Sequence, residues 1–461
     1  MFASTNSKLS QPAAAKAAAA LFPFYDRIGI DPVQSPPLLA VSGGPDSMAL
    51  AASFMGWWHD RGWGHFPCHA AVVDHGLRPE STREAETVAG RLEAIGLTVQ
   101  RLTVAAPRPT AGVQAWARDQ RYRLLAEAAL RLSGDAVILT AHHRGDQAET
   151  VAMRLLHGSG VRGLAGISPS GVFGGVRLAR PLLAVSPDDL RDLLGHAGIA
   201  AVDDPSNHDQ RFERVRIRGL LAEKGPPDTA SLLRLAAAAE AITARLHSAV
   251  ADRIRGRAGV MHEGCGWCDR SLLDALPTRA AMLLLDGFVR AVGAQHQPPR
   301  EAALKRLLIS LRDGGEATLG GCEWRQDKPR QRLIIHREAE TRLERLAVRA
   351  GQPGLFDGRW HVAAPVDGHF EAIGARRFAA LRSGFPDLIE KNDLPARVFW
   401  SIPVFVPAMP ITDIRLPALE DGSIITHLKS KFENGLGHPI MSFAGTAHWP
   451  WREAQQERQK P

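Results

Sequence analysis

The stretch AVSGGPDSMAL, Ala40 to Leu50, decides how this chain folds. Apolar residues flank it, and its centre holds two glycines, an acid and two serines. LLAV before it reads as a buried strand, Leu38 to Val41, and SMALAASFMGWW after it as a helix starting near Ser47. The loop between them is Ser42-Gly43-Gly44-Pro45-Asp46. A strand-to-helix turn of this kind aims its own N–H groups, and those of the first helical turn, at one small volume that favours an anion. Gly43 and Gly44 carry no side chain, so a phosphate can approach the backbone. Ser42 and Ser47 add hydroxyl donors, and Pro45 removes no donor that is needed there. Asp46 beside an anion calls for a divalent cation between the two; otherwise it is a helix cap. The loop fits neither G-x-x-x-x-G-K nor G-x-G-x-x-G.

The same alternation continues outward. HAAVVDHG (His69 to Gly76), LTVQRLTV and DAVILTAHH read as further strands. ESTREAETVAGRLEAIG, VQAWARDQRYRLLAEAALRLSG and GDQAETVAMRLLHG read as helices between and after them. Alternation of this kind predicts an α/β fold, a parallel sheet with helices on both faces and ligands at the carboxyl ends of the strands. Past AEKGPPDTA the pattern turns helical, with SLLRLAAAAEAITARLHSAVADRIRG as one long helix. From about Arg349, short strands among prolines are expected in GRWHVAAP, ARVFWSIPVFVP and HPIMSFAGTAHWPW. The expected division is a tail over 1–25, a catalytic α/β domain over 26–224, a helical middle domain over 225–348 and a small C-terminal domain with strands over 349–461.

Bulk properties agree with a multidomain globular protein. The chain has 461 residues, 45% of them hydrophobic, too many for one core. Its 56 basic and 49 acidic residues leave a net charge of +7, which suits a polyanionic partner such as RNA. No apolar run is long enough to cross a membrane, and four cysteines in so long a chain fit a reducing cytoplasm, so no membrane partner and a cytoplasmic location are expected.

Ser42 to Ser47 resembles the Ser-Gly-Gly-x-Asp-Ser signature of the PP-loop ATP pyrophosphatases, adenine nucleotide α-hydrolase-like enzymes that cut ATP between its α and β phosphates. VDHGLR (Val73 to Arg78), ARDQRY (Ala117 to Tyr122), TAHHRGDQAET (Thr140 to Thr150), RPLL (Arg180 to Leu183) and DDPSN followed by RVRIR narrow the resemblance to the tRNA(Ile)-lysidine synthases, over roughly residues 38–220. Asp203 stands where that family often has Glu, and Val215 where it often has Asn. The resemblance implies ATP and Mg²⁺ as cofactors, and L-lysine and the isoleucine tRNA with a CAU anticodon as partners. A homodimer is left open. It implies that the wobble cytidine is adenylated by ATP and then takes lysine at C2, giving lysidine, AMP and pyrophosphate.

Ser42, Gly43, Gly44, Pro45, Asp46 and Ser47 would then hold ATP, with Asp74 and His75 at the adenosine. Asp46 and Asp146 would hold Mg²⁺, and Arg121 and Arg218 would contact phosphates. Asp146 or Glu149 could accept the lysine proton. Like charges at Arg118 and Arg121, and at Arg214 and Arg218, repel by a few tenths of a kcal/mol, a cost that is tolerable on a solvated face and useful opposite a phosphate. The basic stretches LKRLLISLRDGG and HLKSKFENG fit a tRNA grip in the later domains. Three rival readings remain, one of them a ligase acting on small metabolites, which the basic later segments weaken. A tRNA thiolase of the same superfamily would use CGWC (Cys265 to Cys268) with Cys322 as zinc or iron–sulfur ligands. A non-enzymatic RNA-binding protein would keep the nucleotide fold as a relic.

Overall fold

The computed structural model describes residues 12–76, 81–106, 108–202, 210–223, 228–261, 263–295, 298–338, 345–364, 366–384, 394–408, 418–419 and 440–443. Arg78, the DDPSN segment, HLKSKFENG, the first eleven residues of the expected tail and the closing AGTAHWPW lie outside them. The chain divides into two compact units, Met1–Arg245 and Leu246–Pro461.

In the first unit, helices α1 (Pro12–Ala19) and α2 (Phe22–Asp26) lead into strand β1 (Pro37–Ala40). Then come α3 (Pro45–Asp60), β2 (His69–Asp74), α4 (Ser81–Glu93), β3 (Thr98–Thr103), α5 (Val113–Leu132), β4 (Val137–Leu139) and α6 (Arg144–Leu156). From β1 to α6 these follow the sequence expectation, except that α3 begins two residues early, with Pro45 in its first turn; α1 and α2 lie where a tail was expected, and Ala18, Leu21 and Tyr25 are buried in the core of the unit. After the short α7 (Val161–Leu164) come two strands the sequence reading did not name, β5 (Ser170–Phe173) and β6 (Val176–Ala179). Helices α8 (Pro187–Ala197) and α9 (Glu213–Ala222) complete the set.

The sheet order is β3-β2-β1-β4-β6-β5, parallel throughout except for the antiparallel edge strand β5. Neighbouring residues in a strand face opposite sides. Leu39 accordingly enters the core beneath α3, α4 and α8, while Leu38 enters the core beneath α5. Because β2 lies on one side of β1 and β4 on the other, the winding reverses at β1, and a crevice opens between the carboxyl ends of β1 and β4.

Helix α10 (Thr229–Ile254) carries the chain into the second unit. Helices α11 (Arg270–Ala275), α12 (Thr278–Gly293) and α13 (Glu301–Arg312) follow as the sequence implies. Between and after them lies a five-stranded sheet, β7-β8-β11-β10-β9, absent from the sequence reading: Ala258–Val260, Gly266–Asp269, Ala317–Leu319, Cys322–Asp327 and Arg332–Arg337 in chain order from β7. Trp360–Ala363 and Pro403–Pro407 are strands as expected, although the first residues of ARVFWSIPVFVP form a short helix, Ala396–Phe399.

Candidate active site

The loop after β1 is braced by its own side chains. Ser47 Oγ donates to the Gly44 carbonyl at 2.9 Å and accepts from the Ser42 N–H at 3.2 Å. Ser42 Oγ lies 3.3 Å from the same oxygen. The two hydroxyls thus shape the loop before they serve any ligand. Gly43 adopts φ +88°, and a Cβ there would sit 2.4 Å from Val88 Cγ2, so both backbone and space demand glycine. Its carbonyl accepts from Val202 N–H at 2.8 Å, which pins the turn from behind. Among the described residues, the N–H groups of Gly43, Gly44, Asp46 and Ser47 find no protein acceptor. They are the donors an anion would meet.

Across the crevice, the segment after β4 carries His143, the N-cap of α6. Its Nδ1 accepts from the N–H groups of Gly145 (3.0 Å) and Asp146 (3.3 Å), while the Asp146 carboxylate accepts from the His143 N–H at 2.9 Å. This reciprocal cap fixes the tautomer, because an Nδ1 that accepts two bonds leaves the proton on Nε2. That Nε2 lies 3.4 Å from Asp46 Oδ2 and 3.7 Å from Asp146 Oδ2. Burial opposes a second proton on His143, but the bond to Asp46 and the charges of Asp146, Asp46 and Glu149 outweigh it, and its pKa rises. The two acids expected to share a cation therefore flank one imidazole.

Helix α9 supplies the counter-charges. Arg214, Ile217 and Arg218 share one face. Ile217 packs against Ala148, Val151 and Ala152 of α6. Arg214 bonds Asp146 Oδ1 at 2.7 Å and Glu149 Oε2 at 2.6 Å, and Arg218 bonds Glu149 Oε1 at 2.7 Å. Glu149 is only 3% exposed and spends both oxygens on these guanidiniums. The bond to Glu149 leads the upward shift of Arg218. Arg216 faces away, bonded to the carbonyls of Gln210 and Arg211.

The remaining expected residues lie elsewhere along the carboxyl edge. Asp74 is buried and accepts from Gly76 N–H, Ser81 Oγ and Thr82 Oγ1 at 2.7–2.9 Å, so its carboxylate ties the β2 turn to α4. Burial raises its pKa, but these bonds outweigh burial and hold it low. His75 is half-buried and its pKa is lowered, first by burial and then by the charge of Arg121. Arg121 and Arg118 both lie over the Tyr122 ring, 5.2 and 5.1 Å from its centroid. His142, bonded to Thr140 Oγ1 at 2.9 Å, is pushed down to about 2 by burial and by Arg180, Arg118, Arg121 and Arg214. Consecutive histidines thus divide an acidic group from a basic one. The sequence reading named Glu149 as an alternative proton acceptor to Asp146 and weighed Arg214 and Arg118 without assigning them site roles; what marked the arginines was spacing shared with Arg218 and Arg121.

The cysteines behave as core residues. Cys265, Cys268 and Cys322 are fully buried in the apolar core of the second unit. Burial pushes the thiols of Cys268 and Cys322 up to about 12 and that of Cys265 further, as expected of thiols packed in an apolar core. Among the described residues no group of three or more His, Cys, Asp or Glu could hold a metal ion. Nor is any described helix long and apolar enough to cross a membrane.

Residues 20–224 match the PP-loop domain family. Together with a braced anion loop at the reversal point of a parallel sheet, this defines the class: a PP-loop protein built to hold a nucleotide's phosphates. Among curated relatives, tRNA(Ile)-lysidine synthase of Bradyrhizobium sp. is 41% identical over 304 residues, 61% of this chain and 83% of the relative. The enzymes of that name from Ruegeria pomeroyi and Novosphingobium aromaticivorans are 38% and 43% identical, over 73% and 61% of this chain and 79% and 83% of theirs. The chain belongs to the tRNA(Ile)-lysidine synthase family. A solved U34-tRNA thiolase from Methanococcus maripaludis with its [4Fe-4S] cluster is also similar, at 14% identity and a TM-score of 0.37 over 50% of this chain and 78% of that one, too slight a likeness to bear on function.

Proposed function

We propose that this protein joins L-lysine to C2 of the wobble cytidine of the CAU-anticodon isoleucine tRNA, using ATP. The observation that carries the reading is the meeting of the anion loop with the segment after β4, where His143 Nε2 lies 3.4 Å from Asp46 Oδ2 and 3.7 Å from Asp146 Oδ2. Cytosine O2 attacks the α-phosphorus of ATP, the bond to the bridging oxygen breaks, and pyrophosphate leaves. The lysine ε-amine then attacks C2, the C2–O2 bond breaks, AMP leaves and the amine gives up a proton. The loop N–H groups bind the departing pyrophosphate, where charge accumulates. His75 and the backbone beside the Asp74 turn face the adenosine, Asp74 itself holding that turn in place.

The donor set fits Mg²⁺: two carboxylates, with the remaining coordination left to phosphate oxygens and water, is how that ion usually binds. When bound by Asp46 and Asp146 it would neutralise charge on the phosphates. Lysine enters protonated, and with a pKa of about 10.4 its deprotonation at pH 7 costs roughly 4–5 kcal/mol. Both acids carry hydrogen bonds on both oxygens, but the Asp146 side chain is 16% exposed against 4% for Glu149, which makes Asp146 the better-placed proton acceptor. The basic later segments grip the tRNA.

Asp46→Asn and Asp146→Asn are expected to abolish tRNA-dependent pyrophosphate release from ATP while leaving tRNA affinity unchanged in a filter-binding assay. Release at the wild-type rate by either variant would contradict the reading.

A further inference from the structure

Gln147 follows Asp146 on α6, and the reaction above gives it no part. Helical spacing puts it with Val151 and Arg154 on a face adjacent to that of Asp146 and Glu149. This second face holds the chain as it turns back after α6. The chain leaves α6 at Leu156, passes through α7 and returns to Gln147 at Ile167. Gln147 Nε2 donates to the carbonyls of Ala165 at 3.4 Å and Ile167 at 3.2 Å, and its Oε1 accepts from the Ile167 N–H at 2.6 Å. Arg154 Nη1 donates to the carbonyls of Gly163 at 2.7 Å and Gly166 at 2.6 Å. Gly166 lies at φ +72°, and a Cβ on it would come within 2.6–2.8 Å of the Gln147 carboxamide. The turn and the side chain beneath it are fitted to each other.

The held segment borders the crevice. At one end it is bonded to the neighbour of Asp146. At the other, the Ser168 carbonyl accepts from Arg180 Nη1 and the Pro169 carbonyl from the Arg180 N–H, both at 2.8 Å, and the charge of Arg180 reaches His142. Residues 165–169 therefore run past the His142–His143 step, from the acidic group to the basic one. A carboxamide suits position 147 because the segment offers it two carbonyls and one N–H, and a planar amide carries both donors and an acceptor. Glu would still accept from Ile167 but would turn an oxygen towards the two carbonyls. Leu, with a similar helix propensity, would make none of these bonds.

Resting on the proposed function, we propose that Gln147 is a positioning residue for the reaction: its carboxamide fixes the backbone of 165–167 as a wall of the crevice beside Asp146, and so sets where cytidine and lysine lie when they react. Gln147 acts through this wall and not on a reacting atom. Its loss lowers the rate of the bound complex rather than the affinity for ATP or tRNA.

The test uses the full-length protein with Gln147→Glu, Gln147→Leu or Gly166→Ala, and with Gln147→Leu and Gly166→Ala combined. The measurements are tRNA-dependent pyrophosphate release over a range of ATP and tRNA, and hydrogen exchange across residues 163–168. Each single variant is expected to show kcat about tenfold below wild type, KM for ATP and for tRNA within about twofold, and faster exchange at 163–168. The combined variant is expected to lose no more than about tenfold, because both changes break one contact. Wild-type kcat in Gln147→Glu and Gln147→Leu would overturn the proposal, as would a rise in KM alone or combined losses that multiply. Should Gly166→Ala fail to fold, the two Gln147 variants decide the matter alone. A wild-type protein that binds ATP and tRNA but makes no lysidine would instead overturn the proposed function. Exchange then decides the clamp: lost protection at 163–168 in Gln147→Leu upholds it, and unchanged protection refutes it.

Discussion

Gly43 and His142 have surroundings that leave little room for substitution. Gly43→Ala puts a side chain at φ +88° and 2.4 Å from a Val88 methyl. The left-handed conformation alone costs about 1–2 kcal/mol, and the clash adds to it. The variant is expected to melt earlier in its first unit and to lose ATP binding, because the loop must change shape to admit the methyl; unchanged melting and affinity would refute that. His142 carries a linkage signature. Its folded pKa lies near 2, against about 6.5 in the unfolded chain. Above pH 6.5 both states are neutral and the group contributes nothing to pH dependence. Below it the unfolded chain takes up a proton that the folded one refuses, so stability falls as pH drops, by up to about 1.4 kcal/mol per unit. Urea unfolding of the first unit at pH 5 and pH 7.5 is expected to show a loss about 2 kcal/mol larger in the wild type than in His142→Gln. Equal losses would place the histidine in water.

Among the elements, α6 and α9 form the unit on which the acids depend. The carboxylates come from α6 and the guanidiniums from α9, with Ile217 packed between them. Removing both cations leaves Glu149 buried without a partner. Arg214→Gln with Arg218→Gln is therefore expected to cost about 1–3 kcal/mol, reduced from the fully buried case because both arginines are partly exposed. Hydrogen exchange should locate the loss in α9; protection equal to wild type there would show that packing alone holds the helix. The strands and helices from β1 to α6 were legible because their apolar spacing switches cleanly between the two periods, and Asp46 and Asp146 because they end or begin such segments. The pairing of Arg214 with Glu149 was not, since it joins residues 65 apart and depends on how α9 docks. The hairpin of β5 and β6 had a local signal that went unread: Gly174-Gly175 between apolar runs, both at positive φ, a two-residue turn. The five-stranded sheet of the second unit was hidden by short strands such as Ala258–Val260 and Ala317–Leu319, too brief to show a period.

For the whole molecule, the sheet's topology brings the chemistry together. The reversal at β1 sets the anion loop against the β4 segment, and the step from His142 to His143 splits that segment between basic and acidic partners. The second unit has its own core, which contains Cys265, Cys268 and Cys322, so the cysteines are accounted for by packing. A net charge of +7 over the chain suits a tRNA partner. The decisive measurement is incubation of the full-length protein with ATP, radiolabelled lysine and unfractionated tRNA, followed by acid precipitation and mild base. Label that stays in the RNA after base, which strips aminoacyl esters, and only when ATP is present, is the predicted result. RNA without base-stable label, under conditions where the protein binds both tRNA and ATP, would contradict the account.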